Sequence, residues 1–97
     1  MAPTDNGKTI LLAEDEKAVR SFVLPMLLRN GYHVIESVDG LDALEKARQF
    51  NGTIHLLLSG VQMPKMTGIE LATQLQLERP NIQVLLMSPV WQRECCC

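Results

Sequence analysis

Four short β-rich runs, separated by segments with helical periodicity, are the feature that most restricts the fold of this chain. The runs lie at residues 9–13, 32–37, 54–59 and 82–88. Short aliphatic runs without polar alternation are typical of strands buried on both faces, as in a parallel sheet. Because these strands alternate with helices, the pattern predicts a doubly wound α/β fold with right-handed crossovers.

The three segments between the runs carry helix signals. The first shows apolar residues at helical spacing, contains Pro25 and ends at Asn30-Gly31, where glycine suits a left-handed cap. Asp39-Gly40 marks a turn before the second, and Thr67 with Glu70 forms a capping box that opens the third, which runs to about Glu78. The predicted apolar faces are Val19, Phe22, Val23, Met26 and Leu27; Leu41, Ala43, Leu44 and Ala47; and Ile69, Leu71, Ala72 and Leu75.

Length and charge narrow the functional classes. The 97 residues allow one domain, and the net charge of -2 gives no electrostatic reason to expect nucleic acid or an anionic membrane as a partner. No apolar run reaches the length of a membrane span, and the N-terminus lacks a signal peptide, so we expect a cytoplasmic protein. We predict a disordered segment at 1–8, a partial domain at 9–88 and an irregular tail at 89–97 that ends in three cysteines.

Polar residues and glycine follow the predicted strands. Strand one ends at Glu14-Asp15, strand three at Ser59-Gly60 and strand four at Ser88. In strand order 2-1-3-4 these residues meet at one edge of the sheet, where such folds bind ligands. Two adjacent carboxylates are the ligands that Mg²⁺ prefers. The spacing alone also allows Glu14 to be a solvated loop acid and Asp15 to be only a helix cap.

Several stretches carry a resemblance to a known family. They are ILLAEDE at 10–16, Gly31-Tyr32, Asp39-Gly40 with Ala43-Leu44, LLLSGVQMPKMTG at 56–68 and VLLMS at 84–88, and the run MPKMTGIEL is the most specific of them. On these residues, chain positions 9–88 resemble the response-regulator receiver domain of bacterial two-component signalling, which has a flavodoxin-like fold.

The resemblance implies a mechanism and a set of roles. Such domains take a phosphoryl group from a histidine kinase onto an aspartate that ends strand three, with Mg²⁺ neutralising the charge. Glu14 and Asp15 match the acidic pair that holds the metal, and Gln62 matches the residue whose backbone carbonyl also contacts it. Ser88 matches the switch hydroxyl, and the residues that shape the loop beside the pocket are Met63, Pro64 and Gly68.

Two departures from the family pattern change the expected function. Gly60 stands at the phospho-acceptor position, and the pattern stops after strand four, before the fifth strand and its lysine. We therefore expect a non-enzymatic receiver-like module, truncated after strand four, that is not phosphorylated at position 60 and acts by binding a histidine kinase or other signalling protein. Mg²⁺ remains a possible cofactor, weakened by the missing aspartate. The alternatives are a non-functional fragment of a response regulator or hybrid kinase and, less favoured, a Mg²⁺-dependent phosphohydrolase. Strand 82–88, without its neighbour, also predicts self-association.

Overall fold

The computed structural model describes residues 7–87 as one parallel sheet with helices on both faces. Ser88 and the predicted tail at 89–97 lie outside the described residues, as do residues 1–6 of the predicted disordered segment. The elements follow in the order β1 (Thr9–Ala13), α1 (Lys17–Arg29), β2 (His33–Ser37), α2 (Gly40–Gln49), β3 (Leu56–Gly60), α3 (Gly68–Glu78) and β4 (Gln83–Met87).

The strand order β2-β1-β3-β4 confirms the prediction. All three neighbouring pairs are parallel, and Leu11 of β1 lies beside Ile35 of β2 and Leu57 of β3. β1 and β3 are thus the inner strands of the described sheet, which is why β1 is buried along its whole length. Their carboxyl ends meet at one edge.

Two hydrophobic clusters lie on opposite faces of the sheet. Successive side chains of a strand alternate between faces, so Leu11 and Leu57 pack towards α2 and α3. Ile10, Leu12 and Leu58 pack on the other face, towards α1. This two-sided burial explains why β1 reads as a continuous apolar run in the sequence. None of the helices in residues 7–87 is long and apolar enough to cross a bilayer.

Helix α1 differs from the predicted apolar face. Val23, Leu24 and Leu27 contact the sheet, whereas Phe22 is 70% exposed and Met26 is 41% exposed. The assignment of Phe22 and Met26 to the core-facing side was therefore wrong. Ile69, at the first turn of α3, is exposed in the same way, while Leu71, Ala72 and Leu75 are buried as predicted.

The helix ends follow the predicted signals. Thr67 and Glu70 form both bonds of the capping box, and the Asp39 side chain accepts a hydrogen bond from the Asp42 amide at the start of α2. Gly31 adopts φ 87°, the left-handed conformation expected after α1. The strand predicted from residue 54 instead begins at Leu56, where the paired register with Ile10 of β1 begins.

Candidate functional site at the carboxyl edge of the sheet

Glu14 lies at the centre of the edge where β1 and β3 end. It directly follows β1, and its side chain is turned inwards, so that the residue is only 7% exposed. One carboxylate oxygen, Oε2, accepts a hydrogen bond from the Glu16 amide at 3.1 Å. Burial raises the pKa of the Glu14 carboxyl, the Glu16 amide opposes that rise, and the negative charge of Asp15 adds to it. Glu14 is therefore not a solvated loop acid.

Gly60, the last residue of β3, lies directly beneath this carboxyl group. A Cβ atom added at Gly60 would lie 2.6 Å from Oε1 of Glu14. The Glu14 carboxyl group thus occupies space into which a side chain at position 60 would project. Glycine has no side chain, so no acyl phosphate can form at this residue.

Gly68 closes the site from the side of α3. A Cβ at Gly68 would overlap the Gly60 carbonyl oxygen and lie 3.0 Å from the Ser59 hydroxyl oxygen. The Gly68 amide donates to the Val61 carbonyl at 2.9 Å. The absence of a side chain at Gly68 therefore lets the start of α3 approach the end of β3 with backbone against backbone.

The loop at 61–67 packs against the start of α2. Gly40 touches Met66 so closely that a Cβ would lie 2.6 Å from the Met66 carbonyl oxygen. Lys65, the residue before Met66, adopts φ 72°, a conformation that costs a non-glycine residue energy. The Lys65 ammonium is 3.8 Å from Asp39 Oδ2. The loop is thus joined to the start of α2 by backbone contact at Met66 and by the ion pair of Lys65 with Asp39.

The residues predicted to shape this loop occupy different environments. Met63 is buried in the cluster under α2 and α3 and anchors the loop to the core. Pro64 is exposed, and its carbonyl accepts the Met66 amide at 2.7 Å across the turn at Lys65. Gln62 is an exposed residue of the same loop, two positions past β3.

Arg20 is a site residue that sequence reasoning missed. Its guanidinium donates to the Glu14 carbonyl oxygen at 2.6 Å and to Oε2 of Glu36 at 3.2 Å. The side chain is only 13% exposed, so α1 directs a charged group towards the site. The sequence shows an arginine shortly after the acidic pair. A helix prediction based on the spacing of apolar residues does not consider such a residue.

The edge of the sheet offers oxygen ligands for a hard divalent cation. Mg²⁺ takes one or two carboxylates and keeps several waters. Glu14 and Asp15 are adjacent carboxyl groups at the sheet edge, and Asp15 is exposed to water. Within residues 7–87, no three His, Cys, Asp or Glu side chains group closely enough to hold a metal ion. A cation here would thus rely on the acidic pair, backbone oxygens and water.

Comparison with known proteins agrees with this arrangement. The sequence model of the response regulator receiver domain matches residues 10–94. The chain belongs to the response regulator receiver domain family. The predicted family is therefore confirmed over most of the chain, and such domains are in general signalling modules rather than enzymes.

Two curated proteins and one solved structure illustrate the likeness. The chain is 38% identical over 80 residues to the sensor kinase CckA of Brucella abortus, covering 82% of this chain and 8% of that protein. It is 36% identical over 81 residues to the response regulator receiver protein CpdR of the same organism, covering 84% and 66%. The response regulator TrrA of Thermotoga maritima, solved in complex with Mg²⁺-BeF, superposes with a TM-score of 0.76 at 26% identity, covering 84% and 69%.

Proposed function

We propose that this chain is a receiver module of two-component signalling that binds a histidine kinase or other signalling protein without being phosphorylated at position 60. The proposal rests on the contact between Gly60 and the Glu14 carboxyl group. The acceptor position has no side chain, and a carboxyl group covers it. The adjacent hydroxyl, that of Ser59, is no substitute, since it is fully buried and donates to the Gly60 carbonyl at 2.8 Å.

Mg²⁺ binding is part of the proposal. Glu14 and Asp15 would hold the ion, and Gln62 would add its backbone carbonyl. The ion would neutralise negative charge at the site. The solved complex of TrrA with Mg²⁺-BeF supports the assignment by similarity. Without a carboxylate at position 60, the affinity should be weaker than in a site with three acids, because the ion loses a charged ligand.

Helix α1 offers the surface for a partner protein. Phe22 and Met26 lie on its outer side, four residues apart, and both are exposed. Large apolar side chains that share a helix face are suited to pack against a helix of another protein. Arg20, at the base of the same helix, bonds the backbone of Glu14. A partner on α1 would therefore contact an element tied to the acidic site.

The phosphorylation half of the proposal is tested with a small phosphodonor. The chain is incubated with acetyl phosphate and Mg²⁺, and its intact mass is measured. The wild-type chain should show no added phosphoryl group, and Gly60→Asp should show weak labelling that disappears with EDTA. Labelling of the wild-type chain that hydroxylamine removes, as it removes an acyl phosphate, would contradict the proposal. Strong labelling of Gly60→Asp would contradict the expected importance of the lysine that the family places on strand five.

The proposed binding of a partner protein is tested by substitutions on the outer face of α1. A purified histidine kinase that binds the wild-type chain serves as the probe, chosen from a panel that includes the sensor kinase CckA of Brucella abortus. Phe22→Asp should weaken binding at least tenfold because it places a charge in an apolar contact. Leu77→Asp is the matched control, as Leu77 is an exposed apolar residue of α3. An equal loss of affinity in both variants would show that α1 is not the contact surface.

An amide NMR spectrum with and without Mg²⁺ separates a working module from an inactive fragment. Dispersed peaks with shifts confined to the neighbourhood of Asp15 and Gly60 would support the module. Broad or collapsed peaks that ignore Mg²⁺ would favour the fragment.

A further inference from the structure

Two Asn-Gly pairs lie in the described part of the chain, in different environments. They are Asn30-Gly31, at the end of α1, and Asn51-Gly52, between α2 and β3. A third pair, Asn6-Gly7, starts outside the described residues. Asparagine before glycine is prone to lose its side-chain amide, because the glycine nitrogen can approach that amide without hindrance from a side chain of its own. The fold decides which pair can react, since the attack requires both groups to be free to move.

Hydrogen bonds hold both of the groups that would react at Asn30-Gly31. The Asn30 side-chain amide donates to the Met26 carbonyl at 2.7 Å. The Gly31 amide, whose nitrogen would be the nucleophile, donates to the Leu28 carbonyl at 3.0 Å. The end of α1 would therefore have to open before this pair could react.

Asn51-Gly52 lacks these restraints. Both residues are exposed and lie in the connection between α2 and β3. Within residues 7–87, neither the Asn51 side chain nor the Gly52 amide makes a hydrogen bond to another residue. The nucleophile and the group that it attacks are thus both available in the folded protein.

We propose that Asn51 is a site of spontaneous deamidation in the folded chain. The Gly52 nitrogen attacks Cγ of Asn51 and loses its proton, and the side-chain nitrogen leaves as ammonia, which gives a cyclic succinimide. Water then adds to one of the two carbonyl carbons of the ring. Opening at the backbone carbonyl gives isoaspartate, in which the chain runs through the side-chain methylene, and opening at Cγ gives aspartate. Either product carries a new negative charge.

Arg79, at the end of α3, makes the two products unequal. Its guanidinium donates to the carbonyls of Phe50 and Gly52, both at 2.9 Å, and to the Ala47 carbonyl at 2.8 Å. The reacting residue thus lies between two carbonyls that a single side chain binds. Aspartate leaves this backbone unchanged. Isoaspartate lengthens the backbone between the two carbonyls by a methylene group, so the guanidinium cannot keep both bonds in their present geometry.

Ageing of the full chain at neutral pH, followed by peptide mapping with mass spectrometry, tests the site. Asn51 should deamidate at least about tenfold faster than Asn30, because the bonds at the end of α1 must open first. Asn51→Gln is the matched control, and its peptide should stay unmodified. An Asn51 that stays intact, or that reacts no faster than Asn30, overturns the proposal.

The same measurement in urea, above the unfolding transition, separates the effect of the fold from that of the local sequence. The two rates should converge there, since both asparagines precede glycine and neither is held by hydrogen bonds. A preference for Asn51 that persists in the unfolded chain would refute the argument from structure.

The stability of the two products tests the role of Arg79. Chromatography of the aged chain isolates the isoaspartate form, and Asn51→Asp represents the other product. The urea midpoint of the isoaspartate form should lie below that of Asn51→Asp, and this difference should shrink when both also carry Arg79→Gln. Equal midpoints with Arg79 present would refute the role given to its guanidinium.

Discussion

Alanine at Gly60 and alanine at Gly68 should change the stability of the fold by very different amounts, although the two residues lie close together. At Gly68 the new methyl group would overlap the Gly60 carbonyl oxygen, and backbone within a sheet cannot move without disturbing the ladder. At Gly60 the methyl group would meet only the end of the Glu14 side chain, at 2.6 Å from Oε1. A flexible carboxyl group can rotate away from such a contact.

The magnitudes follow from these contacts. Forcing a methyl group into a packed region typically costs about 1–3 kcal/mol, and direct overlap with a backbone oxygen places Gly68→Ala at about 3 kcal/mol. Moving Glu14 forfeits its bond from the Glu16 amide, worth about 1 kcal/mol, while replacing glycine by alanine at a negative φ recovers about 0.5–1 kcal/mol. We expect Gly60→Ala to lie within about 1 kcal/mol of wild type. Gly68→Ala should then be less stable than Gly60→Ala by at least about 2 kcal/mol.

Urea unfolding followed by far-ultraviolet circular dichroism measures both variants. With a slope of about 1–1.5 kcal/mol per molar urea for a domain of this size, the two midpoints should differ by more than about 1 M. Gly68→Ser provides a second test of the same overlap. Equal midpoints for the position-60 and position-68 variants would refute the argument that the backbones of β3 and α3 are in contact.

Three further predictions concern side chains. Burial raises the pKa of Glu14 in the folded state above its ordinary value of 4.5. As the pH rises from that value through the raised pKa, the metal-free wild-type protein should therefore lose stability relative to Glu14→Gln. Stability profiles of the two proteins that run parallel with pH would disprove this. Thr67→Ala should cost about 1 kcal/mol in urea unfolding, and Thr67→Ser much less, since serine keeps the cap. The Glu78 carboxyl accepts hydrogen bonds from Arg48 and should titrate by NMR with a pKa of about 2. In Arg48→Gln this pKa should return towards its ordinary value of 4.5. The contribution of Glu78 to stability is present above pH 4.5 and is lost as the pH falls through the lowered pKa.

The sheet could be predicted well from sequence because its signals are local. β1 is buried on both faces, so burial leaves a continuous apolar run that needs no knowledge of its neighbours. The capping box at Thr67 likewise lies within four residues. The meeting of Glu14 with Gly60 followed from the order of the strands.

Helix α1 was harder to predict because its orientation depends on distant partners. Apolar spacing suggested that Phe22 and Met26 face the core. Arg20 instead turns inwards to bond Glu14 and Glu36, which lie in other elements. An inward-facing guanidinium has no hydropathy signature. The burial of Glu14 was missed for the same reason, as it depends on the space above Gly60 rather than on residues next to Glu14.

The position of β1 has a consequence for synthesis on the ribosome. In the sheet, Ile10 of β1 lies beside Leu56 of β3. The Thr9 amide donates a hydrogen bond to Nδ1 of His55, which lies 46 residues further along the chain. At about 5–20 residues per second, the ribosome needs about 2–10 s to make that stretch. During this interval the aliphatic strand β1 has been synthesised, but β3, the inner strand that pairs with it, has not. The nascent chain should therefore be a substrate for chaperones that hold apolar segments, up to the moment that β3 emerges.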